Sequence, residues 1–194
     1  MDLLSFLAEN FDLPILEWIA EHLHCGFLNA VMPVITAFGN GGIFWIALAL
    51  VMLVVPKYRK AGLSMAFALL IGLLVCNVTL KPLVGRIRPY DYQLEHFGKE
   101  ISLLIATPHD FSFPSGHTIA SFEGAAALLL HDRKLGIPAA VLAVLIAFSR
   151  LYLYVHYPTD VLASVVLGIG FALLGSLLSK LCFRLWEKRR KAAN

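Results

Sequence analysis

The chain alternates between long apolar stretches and short polar segments. A helix rises about 1.5 Å per residue, so the stretch 61–80 would be about 30 Å long and would cross the hydrocarbon core of a bilayer. The stretch 117–130 would reach only about 21 Å, and we expect it to lie within a bundle of longer helices. The apolar stretches are 41–55, 61–80, 117–130, 135–155 and 161–185, with a weaker one at 13–38.

The first forty residues have a less clear pattern. Glu9, Asp12, Glu17 and Glu21 recur at helical spacing, which puts these acids on one side of a helix over residues 2–22. Such a helix would lie at the membrane surface, or it would be a first spanning helix with one wet face. The Gly-Asn-Gly-Gly sequence at 39–42 then predicts a loop.

Composition makes this a membrane protein. Hydrophobic residues make up 59% of the 194 residues, charged residues 15%, and the mean hydropathy is +0.76. We therefore predict an all-α, integral-membrane bundle of about six transmembrane helices in a single domain, 1–194. Its parts are the N-terminal helix at 1–38, a helical core at 40–185 and a basic cytoplasmic tail at 186–194. A soluble enzyme is excluded, three scattered cysteines argue against a disulfide scaffold, and no basic stripe suggests nucleic acid.

Lysine and arginine positions predict the orientation. If the spans alternate, eleven of the 16 basic residues fall on one side, which the positive-inside rule assigns to the cytoplasm together with the C-terminus. They are Lys57, Arg59, Lys60, Arg133, Lys134, Lys180, Arg184, Lys188, Arg189, Arg190 and Lys191. The other five, Lys81, Arg86, Arg88, Lys99 and Arg150, lie at the outer face of a plasma membrane and need another explanation.

The first candidate segment follows the stretch 61–80. Lys81 and Arg88 are seven residues apart, so a helix there places both on one face. Cations near a bilayer are costly, about 2.5–3.5 kcal/mol each at its centre, and several together suggest an anionic ligand. The alternative is that they are interface residues without a ligand. Two roles are equally possible for Arg86: it contacts a second phosphate, or it anchors the chain at the membrane interface.

The second segment is Phe113-Pro114-Ser115-Gly116-His117. With Pro114 at the first helical position, the amides of Ser115, Gly116 and His117 would be free to bind a phosphate at a helix N-terminus. Gly116 would allow close approach to the backbone, and His117 would stand ready to donate a proton. The alternative is an ordinary capped helix start. His109 and Asp110, just before it, are expected to be loop residues without chemistry.

The third segment runs from Arg150 to Asp160. Pro158 is typical of a first helical position, which puts Asp160 in the first turn, where the helix dipole favours a carboxylate. From there Asp160 can hold one ring nitrogen of His156 and leave the other free to attack. Taken alone, such a His–Asp pair is more often structural. Glu123, within 117–130, is interpreted as a structural hydrogen bond to a neighbouring helix, on a different face from His117.

Together the three segments resemble the signature of the type 2 phosphatidic acid phosphatase family. They read Lys-x6-Arg-Pro, Pro-Ser-Gly-His and Ser-Arg-x5-His-x3-Asp, and match at every defining position. The resemblance implies that His156 is a nucleophile that becomes phosphorylated, that Asp160 orients it, and that His117 is the general acid. It also implies no metal and no cofactor. The residues that would bind the phosphate are Lys81, Arg88, Ser115, Gly116 and Arg150.

We therefore expect a membrane phosphatase with its active site at the outer face. Its partners would be the bilayer and a lipid phosphate, first of all undecaprenyl diphosphate; phosphatidylglycerol phosphate and phosphatidic acid are alternatives. Two histidines in opposite protonation states predict a bell-shaped pH–rate profile. A non-catalytic lipid-phosphate binder would not need both histidines, and a transporter would place more charges at mid-membrane. The oligomeric state stays open.

Overall fold

The computed structural model describes residues 3–193, and its regular structure there is helical, as predicted. Two segments, Ala8–Asp12 and Leu73–Leu80, are π-helical, and two short turns, Asn40–Gly42 and Pro56–Tyr58, are 3₁₀-helical. The α-helices are α1 Leu3–Leu7, α2 Leu13–Leu23, α3 Gly26–Ala37, α4 Ile43–Val54, α5 Arg59–Gly72, α6 Lys81–Val84, α7 Pro89–Phe97, α8 Gly116–Leu129, α9 Arg133–Tyr152 and α10 Pro158–Ala193. The predicted ends at residues 1–2 and 194 lie outside the described range.

Within this range, four helical stretches are long and apolar enough to cross a membrane. They are Gly26–Val54, Pro56–Phe97, Arg133–Tyr152 and Pro158–Ala192. The first of these joins the stretch predicted at 41–55 to only the second part of the stretch predicted at 13–38, through α3 and α4, because α2 ends at Leu23. Helix α8 has only 14 residues, about 21 Å, and is the short helix that the sequence predicts.

Helix α8 packs in the centre of the bundle, against α5, α9 and α10. Its small residues allow this. A Cβ atom on Gly124 would lie 2.2 Å from Trp45 Cε3, so only glycine leaves room for the buried tryptophan of α4. The Trp45 Nε1 atom donates to Ser121 Oγ at 3.0 Å, which satisfies the one polar atom of the indole. The short helix therefore has protein along most of its length.

The basic segments meet at one end of the bundle. Ser179 of α10 donates to the Lys60 carbonyl at 3.0 Å, and Ser64 Oγ lies 2.8 Å from His131 Nε2. These contacts bring the first turns of α5, the loop after α8 and the C-terminal half of α10 together. Helix α10, about 54 Å long, connects this end with the opposite end, where Pro158 lies at the first helical position as predicted. The three candidate segments lie at that opposite end.

The N-terminal helix packs over the same end as the candidate segments. Asp12 is fully buried there, and Glu9 accepts a hydrogen bond from the Tyr92 hydroxyl at 2.7 Å. The expectation that the acids form one wet face is thus wrong for Asp12, because a buried arginine pairs with it. The loop predicted at 39–42 is a tight turn in which Gly41 and Gly42 have φ of 58° and 66°, a conformation that favours glycine.

Candidate active site

A cavity of about 1010 Å³ opens at the end of the bundle that holds the candidate segments. Six of the eight predicted site residues line it: Lys81, Arg88, Gly116, His117, Arg150 and His156. The other two, Ser115 and Asp160, are fully buried behind them. Beyond the polar end, the cavity continues between α4, α5 and α8 along apolar side chains such as Leu50, Leu69 and Ile119. It therefore joins a charged end to an apolar crevice.

His156 lies in the short loop between α9 and α10 and is 1% exposed. Its Nε2 atom is 3.3 Å from Arg88 Nη1, and its Nδ1 atom is 3.5 Å from Ser112 Oγ. A guanidinium only donates, so Nε2 is the unprotonated nitrogen and Nδ1 carries the hydrogen. Burial, and then the positive charges of Arg88 and Arg150, hold the pKa of His156 well below its usual value. The imidazole is therefore neutral, with its lone pair at the cavity.

Ser112 stands between His156 and Asp160. The Asp160 Oδ2 atom is 3.7 Å from His156 Nδ1, too far for a good hydrogen bond, whereas Ser112 Oγ donates to the same carboxylate oxygen at 2.5 Å. The prediction that Asp160 holds the ring nitrogen directly is thus corrected. The hydroxyl accepts from His156 and donates to Asp160. Sequence reasoning missed Ser112, because a serine in a loop carries no periodic signal.

Arg86 is buried on the far side of Asp160 from the cavity. Its Nη1 atom donates to Asp160 Oδ1 at 2.5 Å, and its Nη2 atom donates to Asp12 Oδ2 at 2.7 Å. The guanidinium also lies 3.8 Å above the centre of the Tyr157 ring. Both roles considered from the sequence, a second phosphate contact and an interface anchor, are therefore wrong. Arg86 neutralises the carboxylate that holds Ser112.

Lys81 and Arg88 meet at the cavity, and one carboxylate bridges them. Lys81 Nζ donates to Asp110 Oδ2, and Arg88 Nη2 donates to Asp110 Oδ1 at 2.5 Å. Burial alone would raise the pKa of Asp110, but the hydrogen bond from Lys81 and the charge of Arg88 outweigh it and hold that pKa well below its usual range. The expectation that Asp110 is a loop residue without chemistry is corrected: it is an ionised partner of two candidate phosphate ligands.

Arg150 is a buried cation that pairs with no carboxylate in the described part of the chain. It is 3% exposed, and its Nη1 atom donates to the Thr36 hydroxyl at 2.7 Å. The Nε atom has no hydrogen-bond partner within residues 3–193. A buried charge is costly unless it is paired, so this guanidinium at the cavity wall has the chemistry of a binding site for an anion.

The start of α8 differs from the prediction. The helix begins at Gly116 and Ser115 is its N-cap, so Pro114 precedes the cap instead of opening the helix. The Ser115 amide is also not free, since it donates to Ser164 Oγ at 2.9 Å. The amides of Gly116 and His117 remain in the first turn, where no intrahelical carbonyl reaches them. At this helix start, two amides, those of Gly116 and His117, are therefore left to bind an anion, instead of the three that the sequence predicts.

His117 is held by the tight turn before α4. Its Nε2 atom is 2.8 Å from Asn40 Oδ1, and a Cβ atom on Gly39 would come within 2.6 Å of the ring. With an Nε2–H donated to Asn40, Nδ1 is the nitrogen left to exchange a proton with a ligand. The sequence predicts only a loop at Asn40, because a contact with His117, 77 residues away, leaves no local pattern.

Glu123 borders the deeper part of the cavity and is 1% exposed. Its carboxyl group packs against Gly72 of α5, where a Cβ atom would come within 2.0 Å of Oε1. Contact with a neighbouring helix is thus present, but Oε1 has no hydrogen-bond partner in the described part of the chain. Glu123 and His117 border the same cavity because it extends along α8. Within residues 3–193, no group of three or more His, Cys, Asp and Glu side chains is placed to hold a metal ion.

Comparison with known proteins identifies the family of this chain. The family model of the PAP2 superfamily matches residues 61–188. An undecaprenyl-diphosphatase of Sulfolobus acidocaldarius is 32% identical over 148 residues, which cover 76% of this chain and 68% of the relative. Phosphatidylglycerophosphatase B of Bacillus subtilis is 32% identical over 168 residues, which cover 78% of this chain and 71% of the relative.

The fold has a solved counterpart as well. The crystal structure of a transmembrane PAP2 type phosphatidylglycerolphosphate phosphatase from Bacillus subtilis superimposes with a TM-score of 0.70 at 27% identity. The match covers 93% of this chain and 88% of that one. The chain therefore belongs to the PAP2 superfamily. It is an enzyme, a membrane phosphatase that acts on lipid phosphates.

Proposed function

We propose that the enzyme hydrolyses undecaprenyl diphosphate to undecaprenyl phosphate through a phosphohistidine intermediate. The observation that carries the proposal is that Lys81, Arg88 and Arg150 line the same cavity as His156, at the head of an apolar crevice, with Arg88 beside the Nε2 atom. Cations attract the phosphate, and the crevice accepts the hydrocarbon chain. The undecaprenyl-diphosphatase of Sulfolobus acidocaldarius supports the choice of the diphosphate.

In the first step, the neutral His156 Nε2 atom attacks the terminal phosphorus. The N–P bond forms as the bridging P–O bond breaks, and His117, kept protonated by the negative charge of the bound phosphate, gives its proton to the leaving oxygen. Lys81, Arg88 and Arg150 bind the phosphoryl oxygens, where preorganised positive charge stabilises the transition state. Positive charge appears on the His156 ring, and its Nδ1–H is held through Ser112 to Asp160, whose negative charge compensates it.

In the second step, water hydrolyses the phosphohistidine. His117, now neutral, accepts a proton from the water as its oxygen attacks phosphorus. The N–P bond breaks, His156 becomes neutral again, and inorganic phosphate leaves. Asn40 holds the His117 ring through both steps.

The substrate enters from the bilayer along the apolar part of the cavity, which α4, α5 and α8 line. We infer that the enzyme is a multi-pass plasma-membrane protein with its active site facing the outside or the periplasm and its C-terminus in the cytoplasm, since the basic loops gather at the opposite end. A cysteine introduced between Lys57 and Lys60 would then react only with a membrane-permeant reagent. Reaction with an impermeant thiol reagent added outside intact cells would reverse this orientation.

Phosphatidylglycerol phosphate is the second candidate substrate. It is favoured by the overlap with the phosphatidylglycerolphosphate phosphatase structure, which is 27% identical over most of both chains. The reassignment of Arg86 also removes one argument for the diphosphate, because that arginine does not line the cavity. Phosphatidic acid is a further alternative of the same chemistry.

The test is phosphate release by the purified protein in detergent, from undecaprenyl diphosphate, phosphatidylglycerol phosphate and phosphatidic acid. Wild type is compared with His156→Ala, with and without EDTA. We expect EDTA-resistant release that His156→Ala abolishes, with the highest kcat/KM on undecaprenyl diphosphate. A higher kcat/KM on phosphatidylglycerol phosphate would replace the substrate, and no release from any lipid by folded protein would leave a lipid-phosphate binder. Acid-labile, alkali-stable phosphate on wild type but not on His156→Ala would identify the intermediate.

A further inference from the structure

Asp110 occupies the two cations that the proposed function needs for phosphate. Its two carboxylate oxygens contact Lys81 and Arg88 separately, in the manner of two phosphate oxygens. The side chain is nevertheless 55% exposed, and it lies in the loop that joins α7 to α8. A phosphate bound between these cations and His156 would meet the negative charge of Asp110 at close range. The carboxylate must therefore leave when the substrate phosphate arrives.

The loop itself is fixed, so the side chain can leave alone. Arg88 Nε donates to the Asp110 carbonyl at 2.8 Å, and the Ser112 amide donates to the Arg86 carbonyl at 2.7 Å. The Tyr90 hydroxyl holds the Pro108 carbonyl on the other side. With the backbone tied at three points, rotation about the Asp110 Cα–Cβ bond moves the carboxylate toward solvent and leaves Arg88 in place.

The competition matters because the site faces a membrane. Phosphodiester headgroups surround it in large excess, and each carries one negative charge. A terminal phosphate carries about 1.5 to 2 charges at pH 7 and has more free oxygens to accept hydrogen bonds. A competitor built into the site raises the apparent dissociation constant of every anion by the same factor. The ratio of affinities between two anions is unchanged, but a weak ligand at a fixed concentration then occupies the site for a smaller fraction of the time.

We propose that Asp110 is a competitor built into the phosphate site: it occupies Lys81 and Arg88 until a stronger anion replaces it, and it thereby lowers the fraction of enzyme that phosphodiester lipids occupy. This inference rests on the proposed function for the identity of the substrate, whereas the competition between Asp110 and a bound phosphate does not depend on it. Arg150, which has no carboxylate partner within residues 3–193, provides the first contact for the incoming phosphate. Asp110 is released as the phosphate reaches Lys81 and Arg88.

The experiment compares wild type with Asp110→Asn, which keeps the backbone contacts and removes the charge. Glu100→Gln is the matched control, since it removes one exposed carboxylate from the same loop. We expect Asp110→Asn to lower the inhibition constants of inorganic phosphate and of dioleoylphosphatidylglycerol by roughly tenfold, if Asp110 covers the cations about nine-tenths of the time. In detergent alone this variant has the higher kcat/KM, and its advantage shrinks in micelles rich in phosphatidylglycerol, because that lipid then competes for the uncovered cations. Asp110→Glu restores wild-type behaviour, and Glu100→Gln never departs from it.

The opposite result is equally clear. If Asp110 only holds Lys81 and Arg88 in position, Asp110→Asn raises the inhibition constants and weakens phosphate binding, and the proposal is overturned. Unchanged inhibition by phosphatidylglycerol overturns it too. Calorimetric titration of the purified protein with inorganic phosphate separates this inference from the proposed function. Tighter phosphate binding by Asp110→Asn supports the competition even if no lipid phosphate is hydrolysed.

Discussion

His156 has two neighbourhoods that differ in charge balance. On the Nδ1 side, one guanidinium, that of Arg86, meets two carboxylates, and hydroxyl and amide donors complete the set. On the Nε2 side, three cations face a single carboxylate, that of Asp110, and Arg150 keeps an unpartnered Nε within the described residues. On the Nδ1 side the charged groups are paired without a ligand, whereas on the Nε2 side, at the cavity, positive charge is in excess. Buried charges that are fully paired hold their side chains in place, whereas buried cations without enough carboxylate partners are available to bind an anionic ligand.

The two arginines on opposite sides provide the sharpest test of this comparison. Arg86→Met should lower the free energy of unfolding by about 3–5 kcal/mol, because Asp12 and Asp160 would be left buried without their cation. The measurement is unfolding of the purified protein in detergent. Lys99→Met is the control, since its ion pair with Glu17 is about half exposed and should contribute only ~0–1 kcal/mol. Equal effects of the two variants would contradict the paired network on the Nδ1 side.

Arg150→Met should have the reverse profile. It removes a cation that has no carboxylate partner among residues 3–193, so unfolding in detergent should shift little or to higher stability. Activity should nevertheless fall by about 10²–10³-fold in kcat/KM, the usual loss for one donor to transition-state charge. Steady-state kinetics on the best lipid substrate measures it. A variant that unfolds as easily as Arg86→Met, or one with normal activity, would remove the distinction between the two sides.

Ser112→Ala tests the link between His156 and Asp160. The variant breaks the connection from Nδ1–H to the carboxylate, and kcat should fall roughly 10- to 100-fold with little change in KM, because the phosphate ligands are untouched. Ser64→Ala is the matched control, a fully buried serine at the other end of the bundle. A loss in KM alone, or equal losses in both variants, would show that Ser112 only packs.

The acid side of the pH–rate profile provides the smallest effect. Because the pKa of His156 is held well below its usual value, the free enzyme does not protonate this residue as the pH falls through about 6.5. The loss of activity at acid pH then comes from protonation of the substrate phosphate, whose second pKa is near 6. Between about pH 6 and pH 4.5 the logarithm of kcat/KM should fall with a slope no steeper than one. A slope of two would mean that His156 titrates as an ordinary histidine.

Much of this site could be predicted from the sequence. The helical spans follow from apolar stretches of membrane length, and the grouping of basic residues follows from the alternation of those spans. The lysine, arginines and histidines of the cavity came from three short segments, each recognisable by itself. Burial of apolar surface and helix geometry act over neighbouring residues, so a linear pattern records them.

Only the tertiary structure decided which charges pair. Arg86 and Arg88 are two residues apart, yet one binds Asp12, 74 residues away, and the other borders the cavity. Thr159 reaches Asp12 across 147 residues, and Ser112 enters between His156 and Asp160 from a loop without a periodic pattern. A buried charge takes the partner that packing brings within about 3 Å. That choice depends on distances between distant segments, which no local pattern along the chain records.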